Sequence, residues 1–393
     1  LDSLREQTSR DSALMPHLVQ FNESALRGPM RSCAANFTLP CLLTVFEGRA
    51  SPFIAAAQNF SGKASGAPNW FEKLKGAGYR VNAVVDHTLI ELYPGLFTQV
   101  ENYDQVPNLA VELRDGWAFA KTLTWLREAN ADVIVTHIVG TDKVSHTNKP
   151  GSPEYAAVFK AADTFVGELA SALDFSRDTL VVFGDHGHGA EGHHDRRAWY
   201  AVKGPGFAID EQPLDQTSFL YLLSRIQGLT LPSTYEGSYL WAARPDDAAE
   251  LAWRQNQARA LGLADATREA LDAERATYQA TLSSRARQDV VDFLPWWLTL
   301  ALLIAAAART LAGAVLRRGW VRGQLVWLTV AVLAPTWPAV WLALPFQLVW
   351  SWPAAPSPEG AYPSFRSIRW DLVLPWLPLC PWVLLIPWDL SRP

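Results

Sequence analysis

Apolar and polar positions along the first 235 residues fall into two alternating patterns. "YRVNAVV" (79–85), "DVIVTHIV" (132–139) and "TLVVFG" (179–184) are short runs rich in Val and Ile, as expected of buried strands. Between the last two, Ala157, Phe159, Ala161, Phe165, Val166, Leu169 and Leu173 recur near helical spacing in residues 152–173, with Pro153 suited to a first turn. Residues 113–129 carry a second helical pattern. Strand alternating with helix predicts an α/β domain over residues 1–235, a largely parallel sheet flanked by helices. The chain opens on "LDSLREQ", and an apolar strand is expected just before Asp2, so the first strand reads as truncated.

The pattern changes after residue 235. Residues 236–291 are Ala-rich and charged, which predicts a helical connector broken near Gly262. Residues 292–393 carry apolar stretches at 293–316 and 324–350, each long enough to span a bilayer, and a shorter Pro-rich one at 371–390. Two to three transmembrane helices are therefore expected there. Twelve of the 18 tryptophans lie after residue 290, several near the ends of these stretches, as in an aromatic belt. A cytoplasmic loop holding Arg317, Arg318 and Arg322 would put the catalytic domain on the extracytoplasmic or lumenal side. Arg285, Arg287, Arg366 and Arg369 weaken that charge asymmetry.

Composition adds little. A net charge of −5 does not point to nucleic acid, and Cys33, Cys41 and Cys380 cannot build a disulfide framework.

The chemistry lies at two strand ends. Six of the eight histidines fall between His137 and His194. Ligands of open α/β sheets bind outside the carboxyl ends of the strands. In "GTDKVSH", Asp142 and His146 stand one helical turn apart just past a strand. In "GDHGHGAEGHHD", Asp185 and His186 follow the next strand, and His193 and His194 return toward them. Carboxylate and neutral imidazole are good Zn²⁺ ligands, and two such pairs at successive strand ends predict a two-cation centre of about six protein ligands. Thr38 opens the apolar, helix-like run of "NFTLPCLLTVFEG", with Pro40 in its first turn. That predicts an N-cap, where backbone dipoles favour an anion. His17, His137, Asp86 and His87 read as structural, and two glycosylation sequons, at Asn22 and Asn59, are set aside.

"GTDKVSH", "GDHGHGAEGHH" and "NFTLPCLLTVFEGRASPFIAAAQNF" together resemble the alkaline phosphatase superfamily. Within it the chain looks most like the glycosylphosphatidylinositol ethanolamine phosphate transferases, and type I phosphodiesterase/nucleotide pyrophosphatases share the core. The resemblance covers about residues 1–235. It implies that Thr38 is the nucleophile and that Asp2, in "LDSLR", is a sixth ligand, with Ser3 where the family has Gly. One cation would be held by Asp2, Thr38, Asp185 and His186, the other by Asp142, His146 and His194. The family's pattern selects His194 over His193. Asn59 would donate to a phosphoryl oxygen.

Ser145 stands where the family often has Gly, and His188 where it usually has Met or a similar residue. Leu42 occupies the position of the arginine that sulfatases require, which argues against that branch. The expected activity is a two-Zn²⁺ phosphotransferase or phosphodiesterase (Mn²⁺ being a possible substitute) acting through phospho-threonine. It would transfer phosphoethanolamine to or from a phospholipid or glycolipid at a membrane. A membrane-anchored nucleotide pyrophosphatase and an inactive protein retaining the fold are the alternatives.

Overall fold

The computed structural model describes residues 1–51, 55, 65–106, 114–189, 192–241 and 248–288. The chain divides into two compact units, Leu1–Ala280 and Thr281–Pro393, and the elements below belong to the first.

The strands are β1 (Leu26–Arg31), β2 (Val81–Val85), β3 (Gln99–Asn102), β4 (Val133–Thr136), β5 (Leu180–Phe183), β6 (Gly187–His188), β7 (His194–Asp195), β8 (Arg197–Lys203), β9 (Asp210–Glu211) and β10 (Leu214–Asp215). A three-stranded sheet runs in the order β3–β2–β4 and is parallel throughout. Helices supply its crossovers, His87–Leu92 between β2 and β3 and Arg114–Glu128 between β3 and β4. The predicted helix at 152–173 forms as Pro153–Ala172, capped by Ser152 Oγ, which accepts from Tyr155 N.

The larger sheet departs from the expected parallel arrangement. Its order is β10–β1–β8–β5, with β9 also on β1. Strand β8 is antiparallel to both β1 and β5, so the sheet is mixed. The physical reason is the connection. Among the described residues no crossover helix separates β5 from β8, and the chain turns back through the small β6–β7 hairpin.

Close approach explains two glycines. A Cβ on Gly28 would sit 2.0 Å from Gln212 O, and one on Gly184 would sit 2.5 Å from Leu4 O. Gly184 thus lets the first residues of the chain lie against the end of β5, where Asp2 N donates to Ile138 O and Trp199 N donates to Leu4 O. Gly184→Ala is expected to cost about 1–3 kcal/mol through overpacking against backbone, read as a lower urea midpoint.

The largest apolar core joins Leu42, Val45 and Phe46 to Val81, Ala83, Val85, Tyr200 and Phe219. Trp253, Ala258 and Leu271 are buried in the same core. They come from helix Ala248–Ala260 and the residues after Gly262, which has a positive φ of 71°. Among the described residues no helix is long and apolar enough to cross a membrane, and the predicted spans at 293–316, 324–350 and 371–390 lie outside the described residues.

Candidate metal centre

Three segments converge at the carboxyl ends of β4 and β5. Helix Gly140–Thr147 begins just after β4 and carries Asp142 in its first turn and His146 one turn on, with His146 Nε2 3.4 Å from Asp142 Oδ2. Asp185 and His186 follow β5 after Gly184, and His194 opens β7. Asp2 reaches the same place from the start of the chain. Ligand-type atoms of Asp2, Asp185 and His186 lie within 4.8 Å of one another, as do those of Asp142, His146, His188 and His194. The two groups adjoin, since the His186 and His194 rings stack with centroids 4.1 Å apart. Every predicted ligand among Asp2, Asp142, His146, Asp185, His186 and His194 is therefore in one of two neighbouring groups, while His193 is exposed.

Thr38 differs in detail from the predicted cap. The helix runs Thr38–Glu47 with Phe37 as N-cap and no side-chain cap bond. Instead of closing the helix end, Thr38 Oγ1 lies 3.4 Å from Asp2 Oδ2 and 3.5 Å from His186 Nε2. Asn59 lies outside the described residues.

The electrostatics fit a cation better than they fit any protein partner. Asp2 and Asp185 are 3% and 2% exposed, and Asp2 Oδ1 and Asp185 Oδ2 accept no hydrogen bond. Burial, then the Asp185 and Asp142 charges, push the Asp2 carboxyl well above its usual range. Buried carboxylates in such numbers are costly unless positive charge joins them. Burial lowers His186 to about 4, which keeps it neutral and able to offer a lone pair. Burial opposes ionisation of Asp142, but contacts from His146, His188 and His194 outweigh it and hold this carboxyl well below its usual range.

The imidazoles are oriented from behind. His194 Nδ1 donates to Asn36 O at 2.6 Å, leaving Nε2 to face the group, 3.0 Å from His146 Nε2. Orientation of this kind is what metal-ligating histidines require. Asn36 has a positive φ of 55° and sits in a loop closed by a disulfide between Cys33 and Cys41. Cys33 N donates to Gln216 Oε1, and Gln216 Nε2 donates to Asp185 O, which ties that loop to the end of β5.

Several contributors were invisible in the sequence. Ser3, at φ 60°, donates from Oγ to Asp142 Oδ1 at 2.6 Å and lies 3.0 Å from His186 Nδ1, so its hydroxyl links the two groups. The only sequence signal was that Ser stands where Gly is usual. His137, read as a strand residue, is buried between Asp86 Oδ1 at 3.0 Å and Asp2 Oδ2 at 3.5 Å. Burial disfavours its charge, but Asp86 and Asp2 raise it to about 10, and Asp86 falls to about 2. His87 pairs with Asp104, in a third group that includes Asp86, and His17 pairs with Asp163.

Residues 72–197 match the model of the Metalloenzyme superfamily. The chain is 28% identical over 208 residues to the catalytic subunit of mouse GPI ethanolamine phosphate transferase 3, covering 50% of this chain and 19% of that protein. It is 24% identical over 275 residues to the catalytic subunit of human GPI ethanolamine phosphate transferase 2, covering 61% of this chain and 27% of that protein. The chain thus spans about a fifth to a quarter of the length of these curated relatives. Among solved structures, murine ectonucleotide pyrophosphatase/phosphodiesterase 5 aligns with a TM-score of 0.48 at 13% identity, covering 60% of this chain and 95% of that one. Residues 72–197 thus match the Metalloenzyme superfamily, and the chain is similar in sequence to the GPI ethanolamine phosphate transferases.

Proposed function

We propose that this chain is the catalytic part of a membrane-anchored phosphoethanolamine transferase that works through a phospho-threonine ester on Thr38. The observation that carries this reading is the Thr38 hydroxyl, half-buried and 3.4 Å from Asp2 and 3.5 Å from His186, beside two groups of carboxylates and imidazoles. Asp2, Thr38, Asp185 and His186 would hold one Zn²⁺, and Asp142, His146 and His194 a second. Mn²⁺ is a weaker match to so many imidazoles. When bound, two such ions would supply positive charge to the oxygens of an in-line displacement.

The chain's own residues do the rest. Thr38 Oγ1 attacks the phosphorus of a phosphodiester such as phosphatidylethanolamine. The Thr38 O–P bond forms, the P–O bond to the lipid alcohol breaks, and the threonine proton ends on that alcohol. Asp2 Oδ2 lies where it accepts the proton first. An acceptor hydroxyl on a glycolipid then forms its own O–P bond, the Thr38 O–P bond breaks, and the proton returns to Thr38. Asn59 would donate to a phosphoryl oxygen. Residues 1–235 would form the catalytic domain, 236–291 the connector and 292–393 the anchor, with the active site on the extracytoplasmic or lumenal side. The lipid substrate is favoured by the GPI ethanolamine phosphate transferase relatives and by the apolar stretches after residue 292.

Full-length protein offered labelled phosphatidylethanolamine and, separately, a soluble nucleotide phosphodiester tests the reading. Release of diacylglycerol with transfer of label to a glycolipid alcohol is expected. Turnover of the nucleotide ester alone would replace this reading with a nucleotide pyrophosphatase. Ser3→Ala, which removes the hydroxyl between the two groups, is expected to weaken cation affinity about 10–100-fold in chelator competition, the usual cost of an outer-shell partner.

A further inference from the structure

We propose that His188 is a fourth protein ligand in the Asp142–His146–His194 group, closing the shell of the cation held there. The inference rests on the reading that this group binds a cation. It adds a residue that the family resemblance does not supply, since Met or a similar residue is usual at this place.

Three independent observations point the same way. His188 is only 2% exposed, yet Nδ1 has no hydrogen-bond partner and Nε2 meets only the Asp142 carboxylate, in an ion-pair contact without hydrogen-bond geometry. A buried imidazole whose nitrogens make no hydrogen bond is costly unless something absent from the polypeptide pairs with one of them. Nε2 is aimed into the group, 3.3 Å from Asp142 Oδ1, and the ring lies 4.5 Å from His146 and 5.0 Å from His194, centroid to centroid. The backbone enforces this placement. In the antiparallel β6–β7 pair His188 is directly opposite His194, and directly opposed residues share one face of a pair. The glycines on either side, Gly187 and Gly189, keep the hairpin tight. A Cβ on Gly187 would meet Arg197 O at 2.5 Å.

One carboxylate and three imidazoles make a four-ligand set, the number that closes a tetrahedral zinc site. The neighbouring group, Asp2, Asp185 and His186, has three such ligands and the Thr38 hydroxyl. The two sites are therefore unequal. With this fourth ligand the Asp142 site should hold its ion more tightly, and expansion to five-coordinate would still admit a reacting oxygen. The neighbouring site takes its fourth ligand from Thr38, the reacting group itself, which is lost from the shell when the ester forms.

The test compares wild type with His188→Met, the residue type usual in the family, and with His188→Gln, a polar residue that is a poor ligand. Each full-length protein is stripped, reloaded with Zn²⁺ or Co²⁺, and followed by metal content under chelator challenge and by the Co²⁺ visible spectrum. Wild type is expected to release one ion readily and retain the second. Both variants should bind the second ion roughly 100-fold or more weakly, beyond the 10–100-fold cost of losing an outer-shell partner alone, and lose the tetrahedral Co²⁺ band. Melting of the metal-free proteins should be nearly unchanged, which separates ligand loss from misfolding. Equal retention and an unaltered Co²⁺ spectrum in both variants would overturn the assignment while leaving the two-cation centre standing. A wild type that binds no cation would overturn both.

Discussion

Thr38→Ala should lower turnover by on the order of 10³-fold or more while leaving both cations in place. The two halves of this expectation have separate causes. The methyl group of alanine cannot form an ester with phosphorus, so no covalent route remains. Asp2, Asp185 and His186 still converge, and so do Asp142, His146, His188 and His194, so cation binding does not depend on the hydroxyl alone. The backbone should tolerate the change. Thr38 is the first residue of its helix and does not serve as its cap, so alanine removes no helix-end hydrogen bond. Metal analysis beside a turnover assay checks both halves. Loss of activity together with loss of metal would instead make Thr38 mainly a ligand.

Asp185→Asn should reduce the bound cations from two to one and lower turnover by a similar order. Stability gives this prediction a sign that a simple structural defect would not reproduce. In the metal-free protein the Asp185 and Asp2 carboxyls are buried together, and the Asp185 charge helps to push the Asp2 carboxyl upward. Asparagine relieves that repulsion and can still accept from Ser3 N through Oδ1, the atom that takes this bond now. In chelator the variant should therefore melt above wild type. With saturating Zn²⁺ the order should reverse, because ligand binding stabilises wild type in proportion to the affinity that the variant has lost. A variant that melts below wild type in both conditions would refute the charge-cluster account of this site.

Much of the site could be read from residue type and spacing because its ligands follow strands with a strong signal. The Val- and Ile-rich runs at 79–85, 132–139 and 179–184 contain β2, β4 and β5, and Asp142, His146, Asp185 and His186 come just after the last two. What could not be read depends on long-range pairing. Strand β1, "LRGPMR", carries Gly28, Pro29 and two arginines, so no apolar run announces it, yet it pairs with β8, β9 and β10. The direction of β8 follows from its connection and not from its composition. Ser3 and His188 stand out in the sequence only as departures from the family pattern. Their place at the site comes from tertiary contacts that set Ser3 between Asp142 and His186 and from the β6–β7 register that sets His188 beside His194. Three cysteines, Cys33, Cys41 and Cys380, imply no disulfide framework, and the single Cys33–Cys41 bond follows from the fold of the Thr38 loop, which brings the two together.

Mass spectrometry of the full-length protein, acid-quenched during turnover of phosphatidylethanolamine, tests the central claim most directly. The account predicts a phosphoethanolamine ester on the peptide containing Thr38, absent from Thr38→Ala and from protein treated with chelator. Steady turnover with no adduct on that peptide, or with the adduct on another residue, would contradict it.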